Sequence, residues 1–187
     1  MVRRIFTKEE YAEIAPAYER QGTQYYFLRV NPQEQEDGTI IAIEDVFDHE
    51  PNAEDKAALY NGWLAMEKRV KLEAITAYDI SDAVNVFEIA GQRAWLDKAT
   101  RVGLQNSLHI EQEAGHTTTL LYLDGVSLSL SIAEALEMLA QLELYAIACY
   151  RQTEAHKAAV NASDIIEYVN GYDYTTGYPE HPVFNAD

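Results

Sequence analysis

Two stretches of the sequence repeat the order strand, turn, strand and helix start. In each stretch, two short runs of strand-forming residues flank a dipeptide that ends in glycine, which is typical of a β-hairpin. A residue that can cap a helix follows each hairpin. Gly91 and Gly125 are offset by 34 residues, as are Asp97 and Ser131. The sequence therefore predicts two consecutive ββα units, with strands at Val84–Ile89, Gln92–Leu96, Thr117–Leu123 and Val126–Leu130.

A two-residue loop at Asp124-Gly125 fixes the register of the second hairpin. It places Leu121 opposite Leu128 and turns Ser127 and Ser129 to the other face. The same register in the first hairpin makes Glu88 and Arg93 directly opposed partners on an outer face. One face of each hairpin is thus expected to be buried, and in the first it consists of Phe87, Ile89, Ala94 and Leu96.

The helix after the second hairpin is the most apolar segment of the chain. It begins with a capping box, Ser131-Ile132-Ala133-Glu134, and extends to about Val160. Glu143 falls in the middle of its apolar stripe, and an unpaired buried carboxylate is costly, so we expect Arg101, Lys98 or Arg93 to pair with it. A buried polar anchor or a water-facing gap is favoured over an acid in a pocket. At 100° per residue the stripe is Ile132, Leu136, Leu139, Ile147 and Tyr150.

The first part of the chain predicts helix, hairpin and long helix. Thr7-Lys8-Glu9-Glu10 has the form of a capping box, and the helix it opens is expected to run to Gly22 with Tyr11, Ile14, Ala15 and Tyr18 on one stripe. Tyr25–Val30 and Thr39–Ile43 read as an antiparallel pair. Asn52 caps the long helix, whose predicted stripe is Leu59, Trp63, Met66, Val70, Ala74 and Ala77.

The predicted fold is therefore α+β. Residues 1–77 form an N-terminal helix–hairpin–long helix region. Residues 78–187 form a domain of two ββα units with a long central C-terminal helix and a tyrosine-rich tail. Tyr172, Tyr174 and Tyr178 lie in that tail among turn-forming residues. We expect them to dock on their own domain or on a neighbouring molecule.

Charge and cysteine content narrow the functional classes. The formal net charge of −17 disfavours nucleic acids and anionic lipid surfaces as partners. The single cysteine, Cys149, cannot form an internal disulfide, which is compatible with a cytoplasm. The sequence shows no apolar leader and no run of about 18 apolar residues, so neither secretion nor membrane insertion is expected.

The common chemical motifs are absent from the sequence. It has no phosphate-binding glycine loop, no zinc helix motif, no nucleophile elbow and no dinucleotide glycines. Cys149 and His156 lie two helical turns, about 10 Å, apart, so a buried cysteine is the expected role. The acidic run from Glu34 to Glu50 lacks the order of a calcium loop and is expected to be a solvated loop. We therefore predict no catalytic residue, no metal and no cofactor.

The second half of the chain resembles an uncharacterised domain family of phage and prophage proteins, notably from gut Bacteroidales. The resemblance spans about residues 78–184 and includes Trp95, Arg101, Glu143 and Tyr145, which it implies form a shared framework where Arg101 or Lys98 meets Glu143. The family has no established catalytic residues. The segments that carry it are Tyr78–Asn85, Trp95–Arg101, Glu143–Ala146 with Cys149-Tyr150, and Tyr172–Glu180.

The resemblance implies a phage particle or its assembly as the setting, and the absence of a catalytic motif favours a non-enzymatic structural protein. We expect a tail-associated or other external virion component, made in the host bacterial cytoplasm, that contacts copies of itself and other phage structural proteins. Two other functions stay open. One is a tail-fibre assembly chaperone that is not retained in the particle. The other is an acidic inhibitor or DNA mimic that binds a basic host protein, for which only the net charge of −17 argues.

Overall fold

The computed structural model describes residues 1–13, 16–123 and 126–185 and shows a mixed α+β protein. The chain forms two compact units. The first comprises Met1–Arg69 with Asp164–Glu167, and the second comprises Val70–Ser163 with Tyr168–Asp187. The division falls within one helix, so residues 70–77 belong to the second unit.

The first unit is built on a four-stranded antiparallel sheet. Its strands are β1 (Val2–Thr7), β2 (Ala17–Arg20), β3 (Thr23–Glu34) and β4 (Thr39–Phe47), arranged in the order β1-β4-β3-β2. The predicted antiparallel pair is present as β3 and β4, although both strands are longer than expected. The buried apolar residues of this unit include Phe6, Leu28, Ala42, Ile43, Leu59, Trp63 and Leu64.

The predicted first helix is much shorter than expected. The capping box is confirmed, because Thr7 Oγ1 accepts from the Glu10 amide and Glu10 Oε2 accepts from the Thr7 amide. Helix α1, however, covers only Lys8–Glu13. Pro16 cannot continue a helix, and Tyr18 instead lies in β2, stacked on Tyr25 at 5.2 Å between ring centroids. Ile14 and Ala15 of the predicted stripe lie outside the described residues.

Part of the acidic run is a strand and not a solvated loop, because β4 continues to Phe47. Glu44 lies in β4 opposite Arg29 of β3 and is only 4% exposed. Its carboxylate accepts from Arg29 Nε at 2.8 Å and lies 3.1 Å from Arg4 Nη1. The Arg29 guanidinium also lies 4.7 Å above the Phe27 ring. Two cations thus neutralise a charge that the local sequence gave no reason to bury.

The long helix α2 spans Ala53–Asp79 and begins as predicted. Asn52 Oδ1 accepts from the amides of Glu54 and Asp55, at 2.7 and 3.2 Å. The predicted stripe holds only for the first half, where Leu59 and Trp63 are buried. Val70 is 53% exposed, and Ile75 is the fully buried residue of the second half. The buried face differs between the two halves because each half belongs to a different unit.

The second unit contains two hairpins, each followed by a helix. The first hairpin, β5 (Phe87–Ile89) and β6 (Gln92–Ala94), precedes α3 (Lys98–Glu113). The second, β7 (Thr118–Leu123) and β8 (Val126–Ser131), precedes α4 (Ile132–Ala162). A short helix, α5 (Ile166–Gly171), and a strand, β9 (Val183–Phe184), follow. Strand β9 was not predicted, and it pairs in parallel with β5.

The hairpin registers and the helix caps are confirmed. Leu121 pairs with Leu128, and Glu88 stands opposite Arg93. Asp97 Oδ1 accepts from the Thr100 amide at 2.7 Å, and Ser131 and Glu134 form a complete capping box. The Asp124-Gly125 turn lies outside the described residues. Both hairpins contribute to one core, which includes Phe87, Ile89, Ala94, Leu96, Leu121, Leu123, Leu128 and Ile132.

The buried face of α4 follows a different line from the predicted stripe. Ile132 and Leu139 are buried, but Ile147 and Tyr150 are 36% and 62% exposed. The buried line instead includes polar residues, because residues of the tail and of α2 cover them, as described below. Its members beyond Leu139 are Leu142, Tyr145, Cys149, Thr153, His156 and Val160. Across the part of the chain that the structure describes, no helix is long and apolar enough to cross a bilayer.

Candidate functional site

Arg101 and Glu143 form an ion pair between α3 and α4. The Glu143 Oε2 atom accepts from Arg101 Nε at 2.9 Å and lies 2.8 Å from Arg101 Nη2. Arg101 Nη1 donates to the Leu96 carbonyl at 2.6 Å. The Arg101 side chain is 6% exposed, whereas that of Glu143 is 37% exposed. The sequence predicted that the buried charge is the Glu143 carboxylate, whereas in the structure the more deeply buried charge is the Arg101 guanidinium.

Trp95 and Tyr145 extend this contact. The Arg101 guanidinium lies 5.4 Å above the Trp95 ring, within the range of a cation–π interaction. Trp95 in turn packs edge-on against Tyr145, with ring centroids 6.2 Å apart. The Tyr145 hydroxyl donates to the Val84 carbonyl at 2.6 Å, and burial raises the pKa of Tyr145. Through these contacts, Tyr145 of α4 is joined to Val84 and to Trp95 of the first ββα segment.

Lys98 does not take part in the ion pair. It is exposed, and it lines a shallow surface pocket of about 270 Å³ together with Arg101, Glu143, Ala146, Ile147 and Tyr150. Arg93, the third candidate partner of Glu143, stands on β6 opposite Glu88. Of the three cations named from the sequence, Arg101 is the one that pairs with Glu143.

The tyrosine-rich tail docks on its own unit. Tyr178 lies 5.5 Å from Tyr78 of α2 and 5.6 Å from His156 of α4, measured between ring centroids. Tyr174 packs edge-on against Tyr78 at 5.8 Å, and the Lys71 ammonium lies 5.5 Å from the Tyr174 ring. The first of the two expectations for the tail, docking on its own domain, is the arrangement observed.

Two buried polar residues of α4 hold the tail by hydrogen bonds. Thr153 Oγ1 donates to Asp79 Oδ1 at 2.6 Å and lies 2.9 Å from the Tyr178 hydroxyl, which donates to it. His156 Nε2 lies 2.9 Å from the Thr176 carbonyl and 3.0 Å from Gln152 Nε2, and His156 Nδ1 lies 2.9 Å from the Tyr172 hydroxyl. The hydroxyls of Tyr172 and Tyr178 therefore each have a hydrogen-bonding partner on α4.

Sequence reasoning missed Thr153 and His156 because they are polar. The signal that could have found them is their spacing: with Cys149 and Val160 they continue one helical face at intervals of four, three and four residues. Thr153 is 0% exposed and His156 is 4% exposed. A polar residue on a buried line predicts a hydrogen-bonding partner, here in the tail.

Cys149 has the expected structural role. Its side chain is 4% exposed and packs with Val84 and Tyr145. Burial raises the pKa of the thiol, which keeps it protonated and unreactive. Among the described residues, no three His, Cys, Asp or Glu side chains are grouped in a way that could hold a metal ion.

No family model matches the chain, and no match is found among curated protein sequences or solved structures. The resemblance to the phage-associated domain family therefore stays a prediction drawn from the sequence motifs.

Proposed function

We propose that this chain is a non-enzymatic structural protein of a phage particle, tail-associated or otherwise external, which acts through protein–protein contacts. The motif resemblance supports the phage setting. The geometry of the motif residues supports the absence of a catalytic role, and it is the observation that carries the proposal.

The four motif segments contact one another within the second unit. The segment at residues 78–85 meets the third segment through the hydrogen bond from Tyr145 to Val84. The segment at residues 95–101 meets the third segment through Arg101 and Glu143. The segment at residues 172–180 meets the first through the rings of Tyr78 and Tyr178. The residues that carry the resemblance thus make contacts that join separate segments of the unit.

This use of the motif residues favours a structural role over catalysis. A catalytic set needs an acid, base or nucleophile that faces a cavity and is free to reach a substrate. Here the Tyr145 hydroxyl is bound to a carbonyl, the Arg101 guanidinium is bound to Glu143 and Leu96, and the Cys149 thiol is buried. These groups therefore make contacts within the fold and do not face a substrate.

The charge favours proteins as partners. At a formal net charge of −17, contact with a phosphate backbone is electrostatically opposed, whereas contacts through uncharged surfaces are not. We propose copies of this chain and other phage structural proteins as partners, in a virion assembled after synthesis in the host cytoplasm.

We further propose that the second unit is a tandem of two ββα units that share one core. Helices α3 and α4 begin at Lys98 and Ile132, again 34 residues apart, and both hairpins bury leucine or aromatic residues in the same cluster. Each hairpin alone is too small to be stable, so the shared core explains why the two copies occur together.

Mass spectrometry of gradient-purified particles tests the phage proposal. The copy number of the chain is measured against the major capsid protein, before and after a high-salt wash, with an abundant host cytoplasmic protein as the measure of contamination. We expect a fixed ratio that survives the wash while the host protein is lost. Absence from particles together with abundance in the cleared lysate would overturn the proposal and favour the assembly chaperone.

A further inference from the structure

The two strands of the β7–β8 hairpin are uncharged segments in a highly charged chain. The whole protein has 24% charged residues, yet the 12 residues of the two strands include none. The outer face of the hairpin carries two exposed apolar side chains, Leu120 at 50% and Tyr122 at 75% exposure. An exposed strand of this kind is a ready template for pairing with another strand unless charges or proline protect it.

The other edge strands of the described chain are protected. β9 has only two residues, and every longer edge strand outside the hairpin carries at least one charge. Charged side chains on edge strands are a common way of preventing unwanted pairing. The protecting residues are Arg3 and Arg4 on β1, Glu19 and Arg20 on β2, and Arg93 on β6. The hairpin is the exception, and within it β7 has the more accessible edge.

The hydrogen-bond pattern shows which groups of β7 face outwards. Ile132 N donates to the Thr117 carbonyl at 3.0 Å, so Thr117 faces the partner strand. Residues of an antiparallel strand alternate in this respect, so Thr118, Leu120 and Tyr122 direct their backbone N–H and C=O groups away from β8. On β8 the outward amide of Ser131 is already bound to Glu134 Oε2 at 2.9 Å. The longer free edge is therefore that of β7.

We propose that the outer edge of β7 pairs with the same edge of a second copy of this chain, forming a continuous four-stranded antiparallel sheet. A two-fold axis at Leu120 places Leu120 opposite Leu120 of the second copy and Thr118 opposite Tyr122 of the second copy. Each outward N–H then meets an outward C=O, as an isologous interface requires. The inference deepens the proposed function by naming the partner and the surface, and it rests on that proposal only for its biological setting.

The occupant is a second copy because the outward N–H and C=O groups of β7 complement the same groups of another copy. Two chains of formal net charge −17 repel each other over most surfaces. Strands β7 and β8 are where two copies can approach without placing like charges opposite each other. The paired Leu120 side chains, which are half exposed in one copy, are buried by this contact. A basic partner would instead be drawn to acidic surfaces, which the two strands do not offer.

Sedimentation velocity on the full chain tests the edge. We expect wild-type protein to form a species of twice the 21.1 kDa chain mass. Leu120→Glu places two carboxylates opposite each other and should weaken the dimer by about tenfold or more, with an unchanged circular dichroism spectrum. The matched control is Ile110→Glu on α3, where a side chain of 59% exposure receives the same charge, and it should remain dimeric. A monomeric wild type at all concentrations, or dissociation by Ile110→Glu but not by Leu120→Glu, would overturn the proposal.

Cross-linking tests the register. Directly opposed residues of a hydrogen-bonded antiparallel pair have Cα atoms about 5.5 Å apart, which a disulfide can span. Leu120→Cys should therefore form a disulfide-linked dimer under mild oxidation, whereas Ile110→Cys should not; Cys149 is buried and stays in both variants. Equal cross-linking of the two variants would exclude the two-fold at Leu120. Particle mass spectrometry is independent of both experiments, so failure of the edge and failure of the phage role give different results.

Discussion

Arg101 is more deeply buried than Glu143, the carboxylate with which it pairs. The guanidinium is held by two contacts to one carboxylate oxygen and by the Leu96 carbonyl, and its side chain is 6% exposed. Loss of the carboxylate would leave a buried cation without its counter-ion. The consequences of this arrangement can be measured.

Glu143→Gln should destabilise the protein by about 1–3 kcal/mol, because the amide leaves the Arg101 charge uncompensated while partial exposure of position 143 lets water replace part of the contact. Urea unfolding followed by circular dichroism measures the free energy. Glu137→Gln, an exposed substitution on the same helix, is the control and should change it by less than about 0.5 kcal/mol. Equal stability of the two variants would contradict a structural role for the pair.

Thr153→Val should cost about 1–3 kcal/mol, because it removes the hydroxyl that contacts both Asp79 and Tyr178 while keeping the shape of a fully buried side chain. Combining it with Tyr178→Phe gives a double-mutant cycle, in which we expect a coupling energy of at least about 0.5 kcal/mol. Tyr150→Phe, at a 62% exposed position of the same helix, should be neutral and uncoupled. Strict additivity of Thr153→Val and Tyr178→Phe would show that the tail does not dock in this way.

Gly177→Ala should loosen the tail. Gly177 has a φ of +79°, and a Cβ there would clash with the Gln152 side-chain amide, which would have to move away from the Thr176 carbonyl that it contacts. Gly115→Ala is the matched control, since its φ of +85° carries the same backbone strain with nothing within 4 Å of the new Cβ. We expect limited proteolysis to cleave the tail of Gly177→Ala several times faster than that of Gly115→Ala. Identical cleavage rates would argue against close packing at Gly177.

The cap of α3 should make part of the stability depend on acid. Hydrogen bonds from the Thr100 amide and side chain hold the pKa of Asp97 below its ordinary value of 3.8. A depressed folded-state pKa stabilises the fold above the unfolded value, and that stability is lost as the pH falls through the folded value. Asp97→Asn keeps a capping side chain without a titrating group. Its melting temperature should therefore fall less steeply below about pH 4 than that of the wild type, and parallel curves would contradict this role.

Local signals predicted the helix caps and the hairpin registers well. The residues at Asn52, Asp97 and Ser131 cap helices as expected, and Leu121 pairs with Leu128. Each of these features is determined by residues within a few positions of one another, so the sequence pattern contains all the information that is needed.

Two predictions that failed depend on residues far apart in the sequence. Glu44 is buried because Arg29 stands across the sheet, and a charge run alone cannot show that pairing. Tyr150 is exposed and Thr153 is buried because the tail and α2 cover one side of α4, a side that helical periodicity could not select. For the candidate site, the sequence named Arg101, Glu143, Trp95 and Tyr145 correctly as neighbours, but it missed the Thr153 and His156 contacts to the tail.

Strand β9, near the end of the sequence, completes a sheet that begins much earlier in the chain. Its residues Val183 and Phe184 pair with β5, where Glu88 N donates to the Pro182 carbonyl and the Phe87 and Phe184 rings lie 5.8 Å apart. Strand β5 is synthesised well before β9. The pairing of these two strands in the second unit therefore cannot form while Phe184 is still on the ribosome. Nascent chains that stop short of this point leave one edge of β5 unpaired, and an unpaired strand edge is prone to aggregation.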